Sequence, residues 1–336
     1  MGMVDVLGVG ALNVDLFFEV EGLEWGGFRF VPGGEIMGEE GRFDDALAEL
    51  KANARQLGRS GGGSAANCIY ALSRMGFSTA FLGNVGEDEE GDFLLGAMGG
   101  VDVSHVGRSG RSGQCLSLLK DGERALLVLP KANDRICLTE GDVALANHCK
   151  VVHMSSFASS AALDQQVALA DGLADEVMVS LDPGERYARR GLEDILPLLR
   201  RTDVLFLNDR EMRMLTGMGS REGGERLLGL GPDVVVCKSG AKGSSVITEE
   251  GLFPIEPVPV KVVDMTGAGD VYAAGFLAGL LKGWGLRRCG DFASLVASRS
   301  IGGIGREAYP DKDLLVHFGR PMGKDRTPQA RGRKAR

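Results

Sequence analysis

A chain of 336 residues with net charge −8 and 44% hydrophobic residues is long enough for one large α/β domain with an appendage. Seven basic residues against one acid fall between Arg320 and Arg336. The body is therefore more acidic than the total, which argues against nucleic acid as the main partner, and 320–336 reads as a basic, disordered tail. No run reaches the roughly 18–20 apolar residues of a membrane span, no secretory pattern opens the chain, and the six cysteines show no CxxC spacing. The expectation is a soluble, cytoplasmic protein with buried free thiols and no membrane partner.

Val4 to Leu12 is strand-like and runs into Gly8-Val9-Gly10-Ala11-Leu12-Asn13-Val14-Asp15. Asn13 stands where a dinucleotide fingerprint needs its third glycine, so no Rossmann site is read here. Asn13 and Asp15 are expected on one face, at the end of a central strand where open sheets bind ligands; turn chemistry is the alternative reading of both. Leu16 to Gly41 is broken by Gly, Pro and Glu and reads as a small sheet or a flap. Asp44 to Leu57 has helical spacing of Leu47, Leu50, Ala54 and Leu57, and Gly58 to Gly63 breaks it. Gly61-Gly62-Gly63-Ser64-Ala65-Ala66-Asn67 opens a helix through Met75, with Asn67 one turn in; Asn can both donate to and accept from a polyol. Phe77 to Gly83 is a strand. Lys120-Asp121-Gly122-Glu123 joins two apolar runs, Gln114–Leu119 and Arg124–Leu129, as a hairpin.

From Cys149 onward short apolar strands (151–154, 177–181, 204–207, 234–237) alternate with helical stretches around 161–174, 191–200 and 209–229, the pattern of a doubly wound parallel sheet. Asn208 and Glu211 follow one strand at i, i+3 spacing, which suits either a capping box or a carboxylate that holds Mg²⁺ through water. Lys238, Gly240 and Gly243 follow the next; the glycines there let phosphates approach and Lys238 supplies charge, unless this is a simple β-turn. The four histidines lack metal-ligand spacing, and GxxxxGK[ST] and GxSxG are absent.

The most informative stretch is Asp264-Met265-Thr266-Gly267-Ala268-Gly269-Asp270. Val258 to Val263 before it reads as a buried strand, and Val271 to Leu281 after it as a buried helix. A Gly-rich turn entering a helix presents unpaired N–H groups to an anion. A carboxylate beside an anion site is repulsive unless it takes a proton. Phosphoryl transfer reconciles the two, with Asp270 deprotonating an alcohol while the amides of Gly267, Ala268 and Gly269 stabilise the moving charge. The competing reading is an Asp helix cap.

Taken together, Gly62-Gly63-Ser64-Ala65-Ala66-Asn67 with Gly83 and Gly86, and Asp264 to Asp270 with its helix, resemble the ribokinase-like (PfkB) carbohydrate kinases over roughly Val4 to Ile304. Asp15, Asn208/Glu211 and Lys238/Gly240/Gly243 fall in the family's order. The resemblance implies a mostly parallel doubly wound sheet between helices with a small β lid, here residues 1–319 with lid segments about 16–43 and 111–131. It implies transfer of the ATP γ-phosphoryl group to a hydroxyl of a small sugar, or of a nucleoside as in adenosine-kinase-like members; a catalytically idle member with a binding role is the alternative. It implies Asp270 as base, Gly267–Gly269 as anion hole, and Asp15, Asn13, Gly63 and Asn67 at substrate hydroxyls. Asn208 and Glu211 would organise Mg²⁺ and phosphate, Lys238, Gly240 and Gly243 would meet ATP, and Asp264 and Thr266 match a position that binds a monovalent cation such as K⁺ in some members. Met265, Lys238 and the loop Ser300–Ala308 depart from the usual pattern. Trp25, Phe28 and Phe30 either stack a base or pack the lid on itself, and an exposed lid edge would suit a homodimer.

Overall fold

The computed structural model describes residues 3–121 and 123–319; the basic tail lies outside the described residues. Eight strands form one sheet in the spatial order 251–255, 244–248, 234–238, 204–208, 178–182, 149–155, 4–9, 79–82. The first two of these pair antiparallel and the remaining six run parallel. Alternation along the strands feeds two cores. Val204 and Phe206 enter one, with the helices Ser64–Arg74, Ala268–Leu281 and Leu286–Ser300. Leu205 and Leu207 enter the other, with the helices Ser160–Asp171, Leu192–Arg201 and Asp209–Thr216. A sheet covered on both faces reads as near-continuous apolar strands, which is why these segments were legible. Five cysteines are buried free thiols and Cys137 is exposed.

A second sheet of five strands has the order 35–37, 123–129, 113–120, 13–19, 55–62. The hairpin Gly113–Lys120 with Glu123–Leu129 is as expected. Its outer face, with Val14, Leu16, Phe18, Leu116 and Leu127, shares a core with Phe43, Ala46 and Leu50 of the helix Glu40–Asn53. Phe28 and Phe30 are buried in that core, and Trp25 packs against it.

Five expectations are corrected. The first central strand ends at Val9, and Asn13 and Asp15 belong to the next strand, Asn13–Glu19, in the smaller sheet. The helix read as Asp44–Leu57 is Glu40–Asn53, because Ala54 is already extended. Arg55–Gly62 is then a strand, not a break. Its glycines and polar residues carry no β signal; antiparallel pairing with Asn13–Glu19 makes it one. Val258–Val263 is not a buried strand: it has no regular structure, and Val258, Val260, Val262 and Val263 are exposed. Pro257 and Pro259 remove the donors a strand would need there. Residues 209–229 hold two helices, Asp209–Thr216 and Ser220–Leu228, separated at Gly217 in the left-handed region (φ 72°).

Candidate active site

The carboxyl ends of the parallel strands and the inner face of the five-stranded sheet enclose a cavity of about 570 Å³. Such crevices are where open α/β sheets bind ligands. Asn13, Asp15, Gly63, Asn67, Asn208, Glu211, Lys238, Gly240, Thr266, Gly267, Ala268, Gly269 and Asp270 all line it. Gly243 and Asp264 do not. Gly243 answers a backbone demand: its φ is +85°, and an added Cβ would overlap the Ile255 carbonyl.

Asp270 lies in the first turn of the helix Ala268–Leu281 and is half-buried. Its Oδ2 accepts from Asn67 Nδ2 at 2.8 Å, and Asn67 Oδ1 accepts from Arg306 Nε at 3.0 Å. Asn67 thus holds the carboxylate of Asp270 with one end of its amide and is itself oriented by a buried guanidinium with the other. Arg306 also donates Nη1 to the Ala97 carbonyl at 3.2 Å and lies 4.8 Å from the Tyr70 ring centroid. Burial, then the nearby Asp182 charge, push the Asp270 carboxyl up to about 6. A carboxylate poised there accepts a proton more readily than an exposed one.

The anion-site expectation needs one correction. The Ala268 N–H is spent on the Met265 carbonyl at 3.2 Å, whereas the amides of Gly267, Gly269 and Asp270 have no protein acceptor among the described residues. Gly267 sits at φ +75°, and an added Cβ would overlap Tyr309 Oη; a Cβ on Gly269 would come within 3.1 Å of Lys238 Nζ. Asp264 ties the turn to the 301–309 loop, accepting from Thr266 N at 2.8 Å and Gly305 N at 3.1 Å. Thr266 Oγ1 is buried without a partner among the described residues.

Asn208 and Glu211 do form a capping box: Asn208 Oδ1 accepts from the amides of Arg210 and Glu211, both at 2.9 Å, and Glu211 accepts from Asn208 N at 2.8 Å. Both still face the cavity. Burial and the neighbouring Asp182 push the Glu211 carboxyl well above its ordinary range. Lys238 Nζ pairs with Asp182 at 2.7 Å. Asp182 was missed in the sequence, although it ends its strand where Asn208 and Lys238 end theirs; a polar residue closing an apolar strand was the available signal. Arg124, Arg186 and Arg306 carried no signal at all.

On the five-stranded sheet, Asp15 faces the cavity 8% exposed, and burial pushes its carboxyl up to about 7 against the fields of Arg306 and Arg124. Asn13 Oδ1 accepts from Asn133 Nδ2 at 2.8 Å. Gly62 and Gly63 leave room for this corner: an added Cβ would overlap the Asp15 carboxylate at the first and the Ala11 carbonyl at the second.

This sheet, its smaller partner and the cavity between them define the ribokinase-like kinases. Three solved structures share the fold. A probable sugar kinase from Rhizobium etli CFN 42 aligns over 95% of this chain and 99% of its own at 21% identity, TM-score 0.82. An Arabidopsis thaliana ribokinase complexed with ribose and ATP aligns over 95% and 99% at 22%, TM-score 0.76. Adenosine kinase from Sinorhizobium meliloti aligns over 94% and 98% at 23%, TM-score 0.79. In sequence, the chain is 38% identical over 244 residues to an uncharacterized sugar kinase of Archaeoglobus fulgidus, covering 71% of this chain and 98% of the relative. It is 32% identical over 280 residues to an ATP-dependent ribose-1-phosphate kinase of Halopiger xanaduensis, covering 81% and 90%. It is 28% identical over 287 residues to a 5-dehydro-2-deoxygluconokinase of Clostridium tetani, covering 76% and 83%. A family model described as pfkB family carbohydrate kinase matches residues 33–311, and the chain belongs to that family. It is a sugar kinase, a phosphotransferase with a carbohydrate acceptor. No helix among the described residues is long and apolar enough to cross a membrane.

Proposed function

We propose that the protein transfers the γ-phosphoryl group of ATP to a hydroxyl of a small sugar, with Asp270 as general base. The observation that carries this is a single one: a carboxylate that burial holds near pKa 6 shares its cavity wall with amides of Gly267, Gly269 and its own residue that have no protein acceptor among the described residues. Asp270 takes the hydroxyl proton as the oxygen attacks, and the amides receive charge on the transferred group. Asn67 keeps the base aimed. Asp15 and the free amide end of Asn13 hold acceptor hydroxyls from the inner face of the smaller sheet, which acts as the lid and excludes water.

At the phosphate end Asp182, Glu211 and Asp270 face the cavity with Lys238. Three carboxylates against one ammonium repel a bare polyphosphate, so the residues suit a nucleotide that arrives with its divalent cation. Among the described residues no group of three His, Cys, Asp or Glu side chains is arranged to hold a metal alone. Glu211 and Asp182 would therefore meet Mg²⁺ through water while it neutralises phosphate charge. Lys238 and Gly240 meet the phosphates. Asp264, with both oxygens engaged by amides, clamps the two loops.

The nucleoside alternative loses its stacking platform, since none of Trp25, Phe28 and Phe30 lines the cavity. Two relatives carry in their names ribose 1-phosphate and a gluconate derivative, which supports a sugar acceptor. Coupled ADP release measured over sugars, sugar derivatives and nucleosides with Mg-ATP tests this. A sugar-class acceptor is expected to stimulate release most; a nucleoside as the best acceptor, or no stimulation by any compound, contradicts it.

A further inference from the structure

We infer that the acceptor end of the cavity is built for a sugar that carries an oxyanion, a phosphate or a carboxylate, and that Arg124 holds that group. This deepens the sugar-kinase reading above and rests on it. Among the described residues three basic side chains line the cavity: Arg124, Arg186 and Lys238. Lys238 is paired with Asp182 at 2.7 Å, and Arg186 with Glu35 at 2.6 Å. The guanidinium of Arg124 has no hydrogen bond or ion pair among the described residues. It is half-buried, at the start of the strand Glu123–Leu129.

The register shows which end of the cavity it serves. Asp15 pairs with Cys115, and Cys115 with Val128, in one row across the smaller sheet. Side chains alternate between faces, so Arg124, Leu126 and Val128 share the inner face with Asp15, and all four line the cavity. Arg124 also borders a second, smaller cavity of about 300 Å³, with Pro32 shared between the two and Asp121 beside it. Its positive field reaches both Asp15 and Asp270. The cation thus stands on the sheet face that carries the hydroxyl-binding Asp15, whereas Lys238 ends a strand of the main sheet across the cavity.

A neutral sugar offers this guanidinium hydroxyl acceptors but no counter-charge, and closing the cavity over it would leave a desolvated, uncompensated charge. An acceptor bearing an oxyanion removes that cost and gains a charge-assisted, bidentate contact. The acceptor hydroxyl then lies at Asp270 and the anion at Arg124.

The test compares acceptors that differ only in the anion: a pentose against its monophosphates, and an aldose against its aldonate. In the wild type the oxyanion member of a pair should have kcat/KM higher by about 10- to 100-fold, chiefly through KM. Arg124→Gln should collapse that ratio to about threefold or less, and Arg124→Lys should restore part of it. Because the ratio is taken within one variant, it does not depend on the fraction folded. Which pair shows the larger ratio tells phosphate from carboxylate. Neutral acceptors favoured by the wild type, or a ratio unchanged in Arg124→Gln, overturns the inference while ADP release still stands for a kinase. No stimulation by either member of any pair removes the sugar-kinase reading and this inference with it.

Discussion

Asp270 and Asp15 are carboxyls that the fold keeps from ionising early, at about 6 and about 7, with burial as the main cause in both. A base must be deprotonated to act, so log kcat/KM should fall with acidification from near pH 7 and steepen below pH 6 as both carboxylates gain protons. A profile flat down to pH 5 would contradict the assignment. Stability runs the other way. Between the unfolded carboxyl value and these raised ones the folded state binds more protons, so rising pH through 4 to 7 removes stability from the ligand-free protein. Thermal unfolding at pH 5 and pH 8 measures that contribution. Arg306 matters in the same neighbourhood. Its Nε fixes Asn67, while its Nη2 is buried without a partner among the described residues; nothing in a Gly-rich loop announced such a residue.

The turn into the helix Ala268–Leu281 works because two residues lack a side chain. Gly267 occupies the left-handed region, where a Cβ would press on Tyr309 Oη and lie 3.3 Å from Asn67 Nδ2. Gly267→Ala should lower stability by about 1–3 kcal/mol and kcat at least tenfold, by moving the Asn67–Asp270 pair; unaltered kcat would show that the turn's geometry is not needed. The helix behind is apolar all round and close-packed: a Cβ on Gly275 would come within 2.8 Å of the Ala293 backbone. That pattern was legible as a buried helix. The segment before it misled, because four valines outweighed Pro257 and Pro259 in the reading. At Asn208–Glu211 the capping box engages Asn208 Oδ1 and Glu211 Oε2 and leaves Asn208 Nδ2 and Glu211 Oε1 outside it, with both residues at the cavity, so the cap does not compete with the proposed site role.

The two larger sheets enclose the cavity and are joined across it by Arg186–Glu35 at 2.6 Å and Arg210 Nη1 to the Gly33 carbonyl at 3.3 Å. These contacts link the 32–35 segment to the main sheet's helices and are where an opening of the lid would act. The doubly wound sheet was readable because strands covered on both faces are apolar runs at regular spacing, and the Asp264–Asp270 turn because its chemistry is local. What pairs across the chain was not: Asp182 with Lys238, Asn67 with Arg306, and the lack of a partner for Arg124 among the described residues depend on neighbours that only the fold supplies. Gly243, local in the sequence pattern, turned out to serve its turn instead of the cavity. The most direct measurement is of Asp270→Asn, a variant that keeps the side chain's size and removes its basicity. Calorimetry should show Mg-ATP and acceptor binding within a few-fold of wild type, while kcat falls by about 10²–10⁴; turnover within threefold of wild type would contradict the account.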